Sequence, residues 1–334
     1  MKVAFLTRDY PPRTGGLSTT TQELANHLVK LGVQTRVFVG GTDLQTMLLP
    51  LDIPQSSFDV IQVMSPPYGV LVRRRLIVYV AEPVRTEWPF YSLKSKIVGS
   101  AALIPEMITL QKRAFICATS ETTKMKLIKF YGLDPKRIAV IPGGVDLKKF
   151  TPGEKSVDDP KILMCSRLDK RKNLHEALLA FSRITKTPSR ITIIGEGPEG
   201  VALKKVAAAL NLNVRFTGNL TDSEVSAHFG QADIFVSSSL SEGFGLSLIQ
   251  AMAAGCVSVV SDIGAHRELI RDGENGLIYE SVDDLADKID FLLENPSTRA
   301  RLGREARKSA LNFSWGRAAQ GMLELYARLS VRGG

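Results

Sequence analysis

The strongest constraint in this chain is an alternation. Short apolar runs give way repeatedly to stretches with helical periodicity. Residues 3–6 are apolar, a loop follows, and residues 18–31 place Leu24, Ala25, Leu28 and Leu31 on one helical stripe before the next apolar run at 37–39. Runs that are apolar on both sides of the pleat fit parallel strands covered on two faces. Parallel neighbours need crossover segments, usually helices, between them. Gly32 stands where a helix C-cap belongs. Further strands are predicted at 60–63, 77–80, 115–118 and 138–141, while 83–113 reads as less regular.

Residues 151–160 are polar and carry Pro and Gly, so they read as a linker. The alternation then restarts, with strands predicted at 162–165, 191–194, 214–216, 234–237, 257–260 and 276–279. Helices are predicted near 173–186, 199–210, 222–230, 245–254 and 264–271, then over 282–293, 298–311 and 315–329. Two doubly wound α/β halves suit a length of 334 residues. The expected domains are 1–150 and 151–313, with 314–334 forming a terminal helix.

Composition narrows the class. Apolar residues make up 44% and charged residues 23%, which excludes disordered and collagen-like chains. No apolar run reaches the ~18 residues of a membrane span. The N-terminus turns charged and Pro-rich too early for a signal peptide, so a cytoplasmic protein is expected. Cys117, Cys165 and Cys256 form no CxxC pair and read as reduced, buried thiols. His27, His175, His228 and His266 show no metal-ligand spacing, so no metal is expected.

The net charge of +9 lies wholly in residues 1–150, which hold 20 Lys and Arg against 11 Asp and Glu. Such asymmetry suggests an anionic partner. Arg73-Arg74-Arg75 and the 85–113 segment add a specific expectation. That segment holds Trp88, Phe90, Tyr91, Lys94, Lys96, Lys112 and Arg113 around an apolar stretch. Cations and aromatics flanking apolar residues suit a helix lying on an anionic membrane surface.

Glycines precede predicted helices at the carboxyl ends of three predicted strands. Ligands of parallel sheets bind at those ends, where helix starts offer amides to anions. Gly15-Gly16 is the first such turn. The second, Gly195-Glu196-Gly197-Pro198-Glu199-Gly200, has the form GxGxxG. It lies in the second strand–helix unit of its half, lacks a following acidic residue for a ribose, and loses an amide to Pro198. A dinucleotide-dependent dehydrogenase is therefore the weaker alternative, and a tight turn forming a pocket wall the stronger. The third turn, Glu242-Gly243-Phe244-Gly245-Leu246, joins a carboxylate and a glycine pair to a helix start, with Gln250 about two helical turns beyond Glu242. A cationic loop, Arg167 to Lys172, falls between another strand and helix. Arg there offers a fork and Lys a point charge to a diphosphate.

Arg167…Lys172, Gly195–Pro198 and Glu242…Gln250, with Pro142-Gly-Gly-Val-Asp146, Asp233-Ile-Phe-Val-Ser-Ser and Asp272-Gly-Glu-Asn-Gly276, resemble the family 4 retaining glycosyltransferases of GT-B fold. The resemblance implies two Rossmann-like domains facing a central cleft. It also implies that the final helix returns to the N-terminal domain. The implied donor is a nucleotide-diphosphate sugar, with no separate cofactor. Arg167 and Lys172 would bind its diphosphate and Glu242 its sugar. Gly243, Phe244, Gly245 and Leu246 would supply amides. Gly195, Glu196, Gly197 and Pro198 would line the nucleobase pocket, and Gly15 and Gly16 would lie near the phosphate and the acceptor. Gln250 replaces the family's second glutamate at the ribose, and Gly143 the usual Asn. No histidine lies between 28 and 174 to serve the reacting sugar, and Glu82 is the candidate substitute. The expected acceptor is a lipid, lipid-linked glycan or polysaccharide precursor, and not a nucleic acid. The alternative is a sugar-nucleotide-binding protein with weak or no turnover.

Overall fold

The computed structural model describes residues 1–13, 15–90, 93–155, 160–186 and 190–331, with the side chains of Glu87, residues 93–101, Ser330 and Val331 outside that description. The chain forms two compact units, 1–144 with 315–334, and 145–314.

The first unit runs β1 (Lys2–Thr7), α1 (Gly16–Lys30), β2 (Gln34–Val39), α2 (Asp43–Asp52), β3 (Val60–Val63), β4 (Leu76–Val80), α3 (Val84–Glu87), α4 (Leu93–Gln111), β5 (Phe115–Ala118), α5 (Glu121–Tyr131) and β6 (Ile138–Val140). Its six parallel strands take the order β2-β1-β3-β4-β5-β6. Strands β3, β4 and β5 are buried at every position, as two-faced parallel strands must be. Gly32 lies just past α1 with φ +80, the left-handed conformation that glycine adopts without strain.

The second unit runs β7 (Lys161–Cys165), α6 (Leu174–Phe181), β8 (Arg190–Ile194), α7 (Gly200–Ala209), β9 (Val214–Gly218), α8 (Asp222–Gln231), β10 (Ile234–Ser237), α9 (Leu246–Ala253), β11 (Val257–Ser261), α10 (Gly264–Arg267), β12 (Leu277–Tyr279), α11 (Val282–Glu294) and α12 (Pro296–Ala310). The parallel order is β12-β11-β10-β7-β8-β9. One face of this sheet packs on Leu178, Leu203 and Leu285, and the other on Leu248, Met252 and Ala306.

Helix α13 (Trp315–Val331) rejoins the first unit. Its Tyr326 is fully buried and donates to Gln62 of β3. A Cβ added at Gly321 of this helix would sit 3.3 Å from the Ile141 side chain.

Two expectations shift. The crossing into the second unit falls at Gly144–Val145, not within 151–160. Phe150 is buried in the second core, Gly153 donates to the Gly230 carbonyl, and Lys155 to the Gly255 carbonyl. Residues 151–155 are therefore packed on that unit, and residues 156–159 lie outside the described residues. The segment 83–113 is largely helical, as α3 and α4. Its Glu106 is fully buried, accepting from the Val84 amide and the Tyr131 hydroxyl, which ties α4 to α3 and α5.

Candidate functional site

In the second sheet the chain passes from β7 to β8 on one side, while β10 pairs with β7 on the other. The order of strands reverses there, and open α/β sheets bind ligands outside the carboxyl ends of the strands at such a point. The loop after β7 tightens into a 3₁₀ turn, Lys170–Lys172. It ends at Asn173, whose φ of +49 is a left-handed conformation that Asn tolerates better than most residues. The loop after β10 carries Ser238 to Gly245. Two bonds staple these loops together. The Ser238 hydroxyl donates to the Lys172 carbonyl at 2.8 Å, and the Leu240 amide to the Arg171 carbonyl at 2.8 Å.

This stapling brings Lys172 onto Glu242. The ammonium donates to Glu242 Oε1, and the side chains are only 12% and 15% exposed. The Ser239 hydroxyl donates to the same oxygen at 2.8 Å. Burial works to raise the Glu242 pKa, but Lys172, Arg171 and, to a lesser degree, His266 outweigh it and hold the carboxyl at about 2. Gly245, at φ +94, turns the chain into α9. The first amides of that helix have no acceptor within it, so they are donors beside a fixed carboxylate. Phe244 is anchored on Phe313, with ring centres 5.9 Å apart. Gly243 and Gly245 are buried, and Leu246 and Gln250 are half-buried.

The remaining expected residues are placed differently. Arg167 stays at the rim, 70% exposed, with Asp169 at 3.7 Å. Such an exposed pair costs little to exchange for another anion. Gly195 and Gly197 serve the protein's own backbone. A Cβ at Gly195 would sit 2.0 Å from the Ser166 carbonyl oxygen, and one at Gly197 2.3 Å from that of Leu168. The Leu168 amide donates to the Glu196 carbonyl, and the Glu199 amide to the Leu168 carbonyl. These glycines thus permit two loops to touch, whereas in a dinucleotide fingerprint they would make room for a pyrophosphate. Glu196 accepts from Asn219 at 3.0 Å, and Pro198 is exposed.

In the first unit Gly15 takes φ +135 and an added Cβ there would meet nothing within 4 Å. It caps α1, and both Gly15 and Gly16 are exposed. Glu82 follows β4 and is 5% exposed. Its Oε1 accepts from Lys126 at 2.5 Å and from Thr86 at 2.6 Å, so it braces the β4 loop against α5. Two cavities lie elsewhere. One of about 560 Å³ surrounds Lys149, Gly153 and Lys161 at the amino end of β7, away from Glu242. The other, about 450 Å³, is lined by Arg8, Asp9, Arg13 and Asp43 in the first unit. Among the described residues no group of three His, Cys, Asp or Glu side chains is arranged to hold a metal ion.

The sequence reading missed Arg171, Ser239 and His266. Arg171 was legible as the neighbour of Lys172. The other two have no local signal, because strand pairing is what brings them to Glu242.

A doubly wound parallel sheet with a buried cation–carboxylate pair and a helix start at its switch point places the chain among the α/β proteins. Residues 146–309 match the family described as glycosyl transferases group 1, and the second unit is a domain of that family. The D-inositol 3-phosphate glycosyltransferase of Rhodococcus erythropolis (strain PR4 / NBRC 100887) is 29% identical over 249 residues, covering 68% of this chain and 56% of the relative. The chain spans little more than half the length of the curated relatives it matches. Sucrose-phosphate synthase from Thermosynechococcus elongatus superposes with a TM-score of 0.88 at 19% identity, over 99% of each chain. HepE of Anabaena, solved in complex with UDP-glucose, superposes with a TM-score of 0.78 at 18% identity, over 98% of this chain and 100% of its own. The fold is therefore the GT-B class of two Rossmann-like parallel-sheet domains.

Proposed function

We propose that this chain is a retaining, family 4 glycosyltransferase that moves a sugar from a nucleoside-diphosphate sugar to an acceptor hydroxyl. The observation that carries the reading is the buried Lys172–Glu242 pair beside the start of α9. In this reading Lys172, Arg167 and the first amides of α9 meet the diphosphate, and Glu242 accepts from the hydroxyls of the donor sugar. As the glycosidic bond lengthens, negative charge grows on the departing diphosphate, and these donors stabilise it most where charge develops. The departing phosphate takes the acceptor's proton, so no histidine is required in the first unit. Neither a metal nor a further cofactor is called on. Without donor, Lys172 and Glu242 neutralise each other; a bound diphosphate competes for Lys172 and leaves the carboxylate to the sugar.

Gln250, on the second turn of α9, would meet the nucleotide ribose through its amide. Gly195, Glu196, Gly197 and Pro198 would border the base, and Gly15 and Gly16 the acceptor side. Because HepE of Anabaena was solved with UDP and with UDP-glucose, these two are the first probes to try. The Rhodococcus relative, a D-inositol 3-phosphate glycosyltransferase, puts a phosphorylated polyol among the acceptors to try. The test is a thermal-shift panel of uridine, guanosine and adenosine diphosphates and their sugars, followed by donor hydrolysis and transfer assays. A ligand at a hundred times its Kd should add about 2.7 kcal/mol of stability. Stabilisation without turnover would favour the weak or inactive binder, and no stabilisation by any of them would remove the reading.

The acceptor reading includes a lipid or lipid-linked glycan met at an anionic membrane by a cytoplasmic enzyme. Its support now falls on α2. Leu44, Leu48 and Leu51 form one outward stripe, 61%, 40% and 59% exposed. Gln55 ties this region to the basic turn: its amide donates to the Pro50 carbonyl, and its Oε1 accepts from the Arg73 amide. Arg73, Arg74 and Arg75 are exposed, as are Ile104, Met107 and Ile108 of α4. Lys112 is not available for a membrane, because its ammonium is held by the carbonyls of Gly69, Val70 and Val72 at 2.6–2.9 Å. Tyr91 and the side chains of Lys94 and Lys96 lie outside the described residues. No helix among the described residues is long and apolar enough to cross a membrane. Reversing Arg73–Arg75 to Glu should abolish salt-sensitive sedimentation with anionic liposomes and leave nucleotide binding intact. Sedimentation indifferent to lipid charge, or none, would leave the acceptor as a soluble molecule.

A further inference from the structure

We propose that His266 is a positioning residue that sets the Glu242 carboxylate by clamping the carboxyl ends of β10 and β11. The ring is completely buried. Its Nδ1 lies 2.8 Å from the Ser261 carbonyl oxygen. A carbonyl only accepts, so Nδ1 carries the hydrogen, and Nε2 is left to accept from the Ser237 hydroxyl at 3.3 Å. Ser261 ends β11 and Ser237 ends β10. One ring therefore holds the exits of two paired strands.

From that clamp the order passes to Glu242 in two bonds. The Ser261 hydroxyl donates to the Ser239 carbonyl at 2.6 Å, and the Ser239 hydroxyl donates to Glu242 Oε1 at 2.8 Å. Ser239 is 2% and Ser261 8% exposed, so water is poorly placed to substitute. Lys172 holds the same carboxylate oxygen from the β7 side. The carboxylate is thus fixed from two loops, and the β10 side of the fixation depends on His266. Burial favours the neutral ring that this pattern needs, while the Glu242 charge pulls the other way. The charged groups facing the ring are Glu242 and Lys172.

This inference rests on the reading that Glu242 acts on the donor sugar, and its test separates the two. His266→Leu removes both ring contacts. His266→Asn keeps a donor near the Nδ1 position, and Ser261→Ala removes the hydroxyl that donates to Ser239 and also lies 3.3 Å from Nδ1. Turnover of the sugar nucleotide that the wild type uses should fall about tenfold in His266→Leu and Ser261→Ala, as expected for a misplaced group. Affinity for the nucleoside diphosphate should stay within about twofold, and His266→Asn should recover most of the loss. Crystal structures of the variants give the readout that needs no turnover: the Ser239 hydroxyl should leave hydrogen-bond distance of Glu242. Retention of that bond in both His266→Leu and Ser261→Ala overturns the proposal even if the wild type proves inactive. Should His266→Leu not fold, Ser261→Ala decides alone. A wild type that binds nucleotide and turns nothing over would remove the transferase reading and leave the positioning claim to the structures.

Discussion

At the residue scale the site is a problem of buried charge. Glu242 and Lys172 are each tolerable out of water because the other is present. Breaking such a pair by removing one partner typically costs about 3–5 kcal/mol, since the survivor stays buried and uncompensated. Lys172→Met should therefore destabilise the second unit and weaken diphosphate binding, measured by denaturant unfolding and by nucleotide titration. Glu242→Gln keeps the shape, removes the charge, and should lower transfer about a hundredfold while nucleoside diphosphate still binds. Equal loss of nucleotide binding would place Glu242 on the nucleotide. Acid stability follows from the same groups. Glu242 is held at about 2 against an ordinary 4.5, so its contribution is complete above 4.5 and lost as pH falls toward 2. His266 is lowered from 6.5 by burial, so its neutral form stabilises fully above 6.5 and progressively less below. The melting temperature should decline below pH 6.5. His266→Gln should flatten that limb in part, because His228 is also lowered by burial and by Arg215 and Arg190.

At the element scale the basic excess of residues 1–150 turns out to be spent partly on construction. Lys112 satisfies three carbonyls of the turn between β3 and β4, Lys126 neutralises Glu82, and Arg137 donates to the carbonyls of Ala114, Leu110 and Lys112. Lys112→Met should cost about 1–3 kcal/mol in chemical denaturation, the penalty of leaving such carbonyls short of donors. A cost near zero would mean that water replaces the ammonium. The loop contact at Gly195 is the second element-level test. At φ +124, with backbone 2.0 Å from any Cβ, Gly195→Ala should destabilise by at least about 1–3 kcal/mol. Helices α2 and α5 escaped the sequence reading for one reason. Helix α2 buries only Thr46 and Pro50 and turns its leucines outward, and α5 buries only Thr123 and Leu127. The stripe of α2, Leu44, Leu48 and Leu51, faces outward and so does not mark a buried face, and α5 buries too few apolar residues to show one. Their caps are legible in retrospect, as Thr42 accepts from the Gln45 amide and Ser120 from the Thr123 amide.

At the scale of the whole molecule the chain leaves its first unit at Gly144 and returns to it at Trp315. The buried Tyr326–Gln62 bond ties the last helix to β3 across most of the sequence. Tyr326→Phe strands the Gln62 side chain in the core and should cost the first unit about 1–3 kcal/mol by calorimetry.

Local chemistry was enough to determine the two sheets. The strands at 115–118 and 234–237 were readable because a two-faced parallel strand must be apolar throughout, and the glycines at 15, 195 and 245 because their turns need conformations other residues resist. The Glu242 turn and the Arg167–Lys172 loop were readable as separate pieces. That they come together was implied only by the family resemblance and not by local sequence, because Lys172 and Glu242 are far apart in sequence and meet only when β7 pairs with β10. The same holds for His266, whose neighbours are strand ends, and for Lys112, whose charge is consumed by carbonyls. Periodicity records which residues avoid water, and it carries no record of which polar group satisfies which. Strand order makes those pairings, and with them the fixed carboxylate.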